Sequence, residues 1–203
     1  MGVAAASGGQ GNEVALGFRV KSGWAVAVLV SGPATAPKIV DLRRVQLADP
    51  SEQETIQPYH AGLELPKGQA AKVVAPLVER VERFADRSMA ELFREYRERG
   101  HRILGTGIVV GSNVDPASIQ NDHIRAHAEE GRLFRAVLEK AAKGSGYVTA
   151  VTVEKELLEK ASKALRRPVP RLKQEVTAMG RGTGGPWRWD EKAAALSAWM
   201  ILA

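Results

Sequence analysis

The chain has 203 residues, 44% of them hydrophobic and 26% charged, and no cysteine, which excludes disulfides and thiolate metal sites and fits a reducing compartment. Its 29 Lys and Arg exceed its 23 Asp and Glu, giving a net charge of +6 and a pI near 9.7. That excess favours a polyanionic partner such as nucleic acid, or else belongs to a solvated surface. The longest apolar run, Trp24 to Val30, is far too short to span a bilayer, so no membrane partner and a cytoplasmic location are expected.

Met1 to Asn12 is rich in Ala, Gly and Ser and lacks the basic start and long apolar stretch of a signal peptide, so residues 1–12 read as a disordered tail. Residues 13–203 are then expected to form a single domain. Glu13 to Val20 and Gly23 to Val30 are short, β-branched and apolar, with Lys21-Ser22-Gly23 as a tight turn between them, which predicts a hairpin. After a Gly/Pro/Ala loop, Lys38 to Leu47 completes a three-strand meander. Asp49 to Lys67 carries Pro50, Pro58 and Pro66 and reads as a long loop centred on Gln57-Pro58-Tyr59-His60. A long loop inside a compact domain is often functional.

From Gln69 to Arg99 the apolar period becomes helical, through Val73, Val74, Leu77, Val78, Val81, Phe84 and Ala85. Pro76 is expected in the first turns or at a kink, and Ser88 with Glu91 as a capping box that opens a second helix. Ile103 to Val110 is apolar on both faces, as a central strand is. Asp115-Pro116 predicts a helix start, with the helix running to about Lys143. Tyr147 to Val153 is the fifth strand and Glu154 to Arg166 an amphipathic helix. The basic, Gly/Pro-containing segment 167–186 is expected to be partly flexible. Asp190 then caps a last helix, Glu191 to Leu202. A meander followed by strand–helix alternation implies an α/β fold: a five-stranded mixed sheet flanked by helices, with ligands at the carboxyl ends of the strands.

Three stretches carry a family resemblance. Ala15-Leu16-Gly17-Phe18-Arg19-Val20-Lys21-Ser22-Gly23-Trp24-Ala25 looks like a first strand of Gly-hydrophobic-Asp type with its Gly-containing turn. Leu172-Lys173-Gln174-Glu175-Val176-Thr177-Ala178-Met179-Gly180 is similar to a Lys-x-x-Val-x-x-x-Gly stretch before a last helix. Asp190-Glu191-Lys192-Ala193-Ala194-Ala195-Leu196-Ser197-Ala198-Trp199 looks like a closing helix in which an acid precedes small residues. Together with the element order, these resemble the ribonuclease H-like superfamily, in particular bacterial RuvC-type resolvases. The resemblance implies carboxylates converging on two divalent metals that activate water at a phosphodiester. Arg19 and Ser112 stand at two of the expected acid positions, and Ala193 stands three residues after Asp190. Only Asp190 and Glu191 remain as candidate catalytic acids, so two-metal nuclease activity is not expected. Arg19 either pairs with phosphate or Asp190, or is a strand-end surface residue.

Within the Asp115–Lys143 helix, His123 and His127 lie four residues apart, with Glu130 three further on, on one face. Such a pair can bind a divalent metal with a carboxylate completing the set, or the histidines can simply bond to Glu130 and nearby loops. Tyr59 and His60 form a second polar cluster; were His60 to reach the helix, His60, His123, His127 and Glu130 would make a site for metal binding or acid–base work. Ser112 and Asn113 are further polar candidates at the end of the fourth strand. Arg19, Lys21, Lys173, Arg181 and Arg188 are candidate nucleic-acid contacts, the last two flanking a Gly-rich loop beside Trp187 and Trp189. The leading expectation is a catalytically degenerate ribonuclease H-like protein that binds nucleic acid or a nucleoprotein partner. A hydrolase with a rebuilt His/Glu site and a non-enzymatic protein-interaction subunit, including a homodimer, stand beside it.

Overall fold

The computed structural model describes residues 12–203, so the tail expected at 1–12 lies, but for Asn12, outside the described residues. The five strands are β1 (Glu13–Lys21), β2 (Trp24–Ser31), β3 (Lys38–Gln46), β4 (Arg102–Val110) and β5 (Val148–Val153). They form one mixed sheet in the order β3-β2-β1-β4-β5. β1–β2 and β2–β3 are antiparallel, while β4 pairs parallel with both β1 and β5. The β1–β2 hairpin turns at Ser22-Gly23, and Gly23 has φ 79°, the left-handed conformation that glycine adopts without a Cβ penalty.

The helices are α1 (Gln53–Ile56), α2 (Lys67–Glu98), α3 (Asp122–Gly144), α4 (Leu157–Leu165), α5 (Val169–Met179) and α6 (Trp189–Ile201). Alternation along β1 feeds two cores. Leu16, Phe18 and Val20 pack with Val81, Met89 and Phe93 of α2 and Phe134 and Leu138 of α3. On the opposite face Ala15, Val28 and Val109 pack with Leu157 of α4, Leu172 of α5, and Ala194 and Trp199 of α6.

α6 lies unusually close to the sheet because both surfaces are small. A Cβ at Gly17 would sit 1.8 Å from Ala194 O, and one at Gly107 would sit 2.5 Å from Ser197 O. Ser197 Oγ donates to Ala194 O (2.8 Å) and lies 3.2 Å from Gly107 O. The glycine of the first-strand motif and the Ala/Ser run of the closing helix are therefore two halves of one contact.

Several sequence expectations are corrected. α2 is one unbroken 32-residue helix, so Ser88 and Glu91 do not cap a second one. The apolar stripe Leu77, Val81, Ala85, Met89, Phe93 and Tyr96 stays in phase across Ser88, and its burial holds the helix together. Pro76 lies inside α2, immediately before the first buried residue, Leu77. Asp115 caps only a 3-10 turn, Pro116–Ser118, by accepting from Ala117 N; Asn121 caps α3 by accepting from Ile124 N at 3.0 Å. The loop at 49–67 contains α1 and a 3-10 turn at His60–Gly62. Within 167–186, Val169–Met179 is helical, pinned by buried Leu172 and Val176. The Trp187 indole donates to Val176 O at 2.8 Å, and its ring lies where a Cβ at Gly180 would fall, 2.1 Å away.

β3 is tied to α2 by a charged network. Arg43 donates to Glu95 through two nitrogens (2.7 and 3.1 Å) and to Asp41, and the Tyr96 hydroxyl donates to Asp41 at 2.6 Å. Burial acts to raise the Asp41 carboxyl, but the hydrogen bonds from Arg43 and Tyr96 overcome it and hold it below the ordinary 3.8. Burial and the same Asp41 contact push the Tyr96 phenol far above 10. Among the described residues no helix is long and apolar enough to cross a membrane.

Candidate functional site

The carboxyl ends of β1, β4 and β5 meet the amino end of α6. Position 19 is on the α6 side of β1 by strand alternation, and the Arg19 side chain is 6% exposed. Its guanidinium pairs with Glu154, the residue that follows β5, and lies 3.6 Å from Asp190. It also donates to Val20 O at 2.8 Å and reaches the end of β4, 3.8 Å from where a Cβ at Gly111 would be. Lys21 Nζ adds a second cation, 2.9 Å from the same Asp190 oxygen. The other Glu154 oxygen accepts from the Trp189 indole. Two acids and two cations thus neutralise one another in a half-buried corner, each ion pair strengthened by restricted water.

The resemblance implied carboxylates converging on two divalent metals; among the described residues, those at the expected positions are engaged otherwise. Ser112 and Asn113 are exposed in the turn after β4; Ser112 Oγ accepts from Val114 N and Asn113 Oδ1 accepts from Arg135. Glu191 is engaged as a cap, accepting from the Arg188 backbone N–H at 2.7 Å. What remains at the corner is Glu154 and Asp190, with a guanidinium and an ammonium already beside them. That donor set does not fit a pair of divalent cations, which need a clear excess of negative oxygen ligands.

Glu154 escaped the sequence reading because it opens an amphipathic segment and resembles an ordinary first-turn acid. Its position directly after the last residue of β5 was the available signal, since ligands in such sheets gather at strand carboxyl ends. Lys173, Arg181 and Arg188 are exposed and have no ion-pair partner among the described residues, whereas Lys21 is paired to Asp190. A polar cleft of about 590 Å³ beside the corner has mixed charge, its lining including Arg135, Lys155 and Lys160 with Glu139 and Glu156.

A second constellation lies on the opposite face of the sheet, between the His60 turn and α3. The structure brings His60 to His123 and His127: ring centroids are 4.8 Å apart for His60–His123, 4.3 Å for His60–His127 and 4.7 Å for His123–His127. Glu130 is fully buried, and its Oε1 lies 2.7 Å from His60 Nδ1 and 3.4 Å from the His60 backbone N–H. Tyr59 lines an adjoining apolar cleft of about 710 Å³ with Leu63, Val74 and Val78. Burial, and then the charge of Glu129, raise its phenol above the ordinary 10, so it stays protonated near neutrality.

Neither a protein-family profile nor a curated protein matches the sequence. Among solved structures, the chain is similar to T. thermophilus RuvC in complex with a Holliday junction substrate, with a TM-score of 0.51 at 9% identity over 93% of this chain and 91% of that one. It is also similar to a Thermus thermophilus RuvC structure, with a TM-score of 0.49 at 14% identity over 92% of each chain. Similarity at such identity establishes the architecture: a five-stranded ribonuclease H-like α/β fold with flanking helices.

Proposed function

We propose that this chain is a ribonuclease H-like protein that has replaced metal-binding acids with built-in cations, and that it binds nucleic acid or a nucleoprotein partner without cutting it. One observation carries the reading: the Arg19 guanidinium, 6% exposed, occupies the strand-end corner and pairs with both Glu154 and Asp190. A divalent cation entering there meets two acids already compensated by Arg19 and Lys21, so its electrostatic gain is largely cancelled. The basic net charge of +6 and the exposed Lys173, Arg181 and Arg188 supply sequence-independent attraction for phosphates.

The Holliday junction named for the fold neighbour makes branched DNA the first probe, followed by duplex DNA and an RNA–DNA hybrid. The expected result is binding that weakens steeply with salt, and no cleavage with Mg²⁺ or Mn²⁺. Cleavage that disappears in Asp190→Ala would overturn the non-cutting reading. Absence of salt-dependent binding to all three probes would remove the nucleic-acid part.

A further inference from the structure

We propose that His60, His123 and His127 form a zinc-binding site whose geometry is held by the buried carboxylate of Glu130. One ligating atom from each imidazole lies within 4.8 Å of the other two. A tetrahedral ion with Zn–N bonds of about 2.0–2.1 Å places its ligands about 3.4 Å apart. Binding therefore requires the rings to close by about an ångström or somewhat more. His123 and His127 are exposed and sit on the first turns of α3, so their side chains can make that movement without disturbing the core.

His60 fixes the third corner. Its Nδ1 faces Glu130 at 2.7 Å, which leaves Nε2 as the ligating atom, and Nε2 is buried with no hydrogen-bond partner among the described residues. An imidazole that donates one N–H to a carboxylate and offers the other nitrogen to a metal is the usual outer-shell arrangement at histidine sites. Glu130 points the same way. Its side chain is 0% exposed, its Oε2 has no hydrogen-bond partner among the described residues, and the His127 Nδ1 lies 3.7 Å from it. A fully buried carboxylate with so few donors is costly, and a dication behind His60 offsets that cost by polarising the Nδ1–H toward Glu130.

Three neutral imidazoles with no thiolate favour Zn²⁺ over hard cations such as Mg²⁺. They leave a fourth position for water or another small ligand, as in zinc sites with exchangeable coordination. This site lies on the α2/α3 face of the sheet and shares no residue with the Arg19 corner, so it stands independently of the proposed function.

The test uses the full-length chain without an affinity tag, stripped with chelator and titrated with Zn²⁺ against a competing indicator, and with Co²⁺ to read the visible absorption of a four-coordinate ion. The wild type is expected to bind one equivalent. His123→Ala/His127→Ala is expected to lose stoichiometric binding while keeping its circular dichroism, since both side chains are exposed. His101→Ala removes the only histidine outside the cluster and is expected to leave binding unchanged. Glu130→Gln is expected to weaken Zn²⁺ by about 10- to 100-fold and to shift the Co²⁺ spectrum, effects that a purely structural role would not produce. Failure of the wild type to bind one equivalent, or equal affinity in the His123→Ala/His127→Ala chain, overturns the proposal.

Discussion

Replacing Arg19 and Lys21 together by methionine removes both cations from the strand-end corner and keeps most of the apolar side-chain volume. Taking away one partner of a fully buried ion pair costs about 3–5 kcal/mol. Here the acids retain water: the Glu154 and Asp190 side chains are 29% and 30% exposed. The penalty is therefore discounted to about 2 kcal/mol, which in a domain of this size lowers Tm by about 4–8 °C. The two uncompensated carboxylates then resemble an ordinary Mg²⁺ site, in which one or two acids and several waters suffice. At about 10 mM Mg²⁺ and a Kd of about 1 mM, linkage returns about 1.4 kcal/mol, or about 3–6 °C. Thermal unfolding with and without MgCl₂, at matched ionic strength, measures both effects. The wild type should shift by less than about 1 °C, because its own cations hold the corner. A double variant as stable as the wild type, or an equal Mg²⁺ gain in both proteins, would refute the built-in-cation reasoning.

Two further outcomes concern the fold that positions the site. Gly17→Ala forces a Cβ to within 1.8 Å of Ala194 O, a backbone atom that can yield only if α6 moves. It should cost at least about 1–3 kcal/mol in denaturant unfolding. Gly131→Ala, where among the described residues nothing beyond the adjoining backbone of α3 itself lies within 4 Å of the new Cβ, should instead be neutral or stabilising by up to about 1 kcal/mol, and equal effects at the two sites would contradict the close-packing account. Asp41→Asn should cost about 1–3 kcal/mol at neutral pH by weakening the Arg43 and Tyr96 hydrogen bonds. Because the native Asp41 carboxyl is held below 3.8, its contribution is fully present above that pH and is lost as pH falls through the lower native value. The stability gap between wild type and Asp41→Asn should therefore shrink in acid below about pH 4, and a gap that widens there would reverse the assigned sign.

Much of the fold was legible because its signals are local. The hairpin could be read from β-branched runs around a glycine turn, and the observed strands begin and end within a residue or so of the expected limits. Helix boundaries fared less well where a local signal competed with burial. Ser88 and Glu91 form a valid capping pattern, yet the stripe from Leu77 to Tyr96 carries α2 straight through them. Asp115-Pro116 has the chemistry of a helix start, but it opens one 3-10 turn before Asn121 takes over as the cap of α3. The segment 167–186 looked loose by composition, while Leu172 and Val176 had in fact a buried face to fill.

The candidate sites divide along the same line. Spacing alone places His123, His127 and Glu130 on one helical face, because the period of a helix does not depend on its neighbours. Arg19 near a strand end was legible too, but the cap expected at Asp190 is instead Arg188, with Asp190 inside the first turn of α6, because Glu191 closes the capping box on the Arg188 backbone. What meets them depends on how distant segments pack. Glu154 reaches Arg19 across 135 residues, and His60 reaches Glu130 across 70. No local propensity encodes such contacts. They follow from the parallel pairing of β1, β4 and β5, which brings strand ends together, and from the packing of the His60 turn against α3.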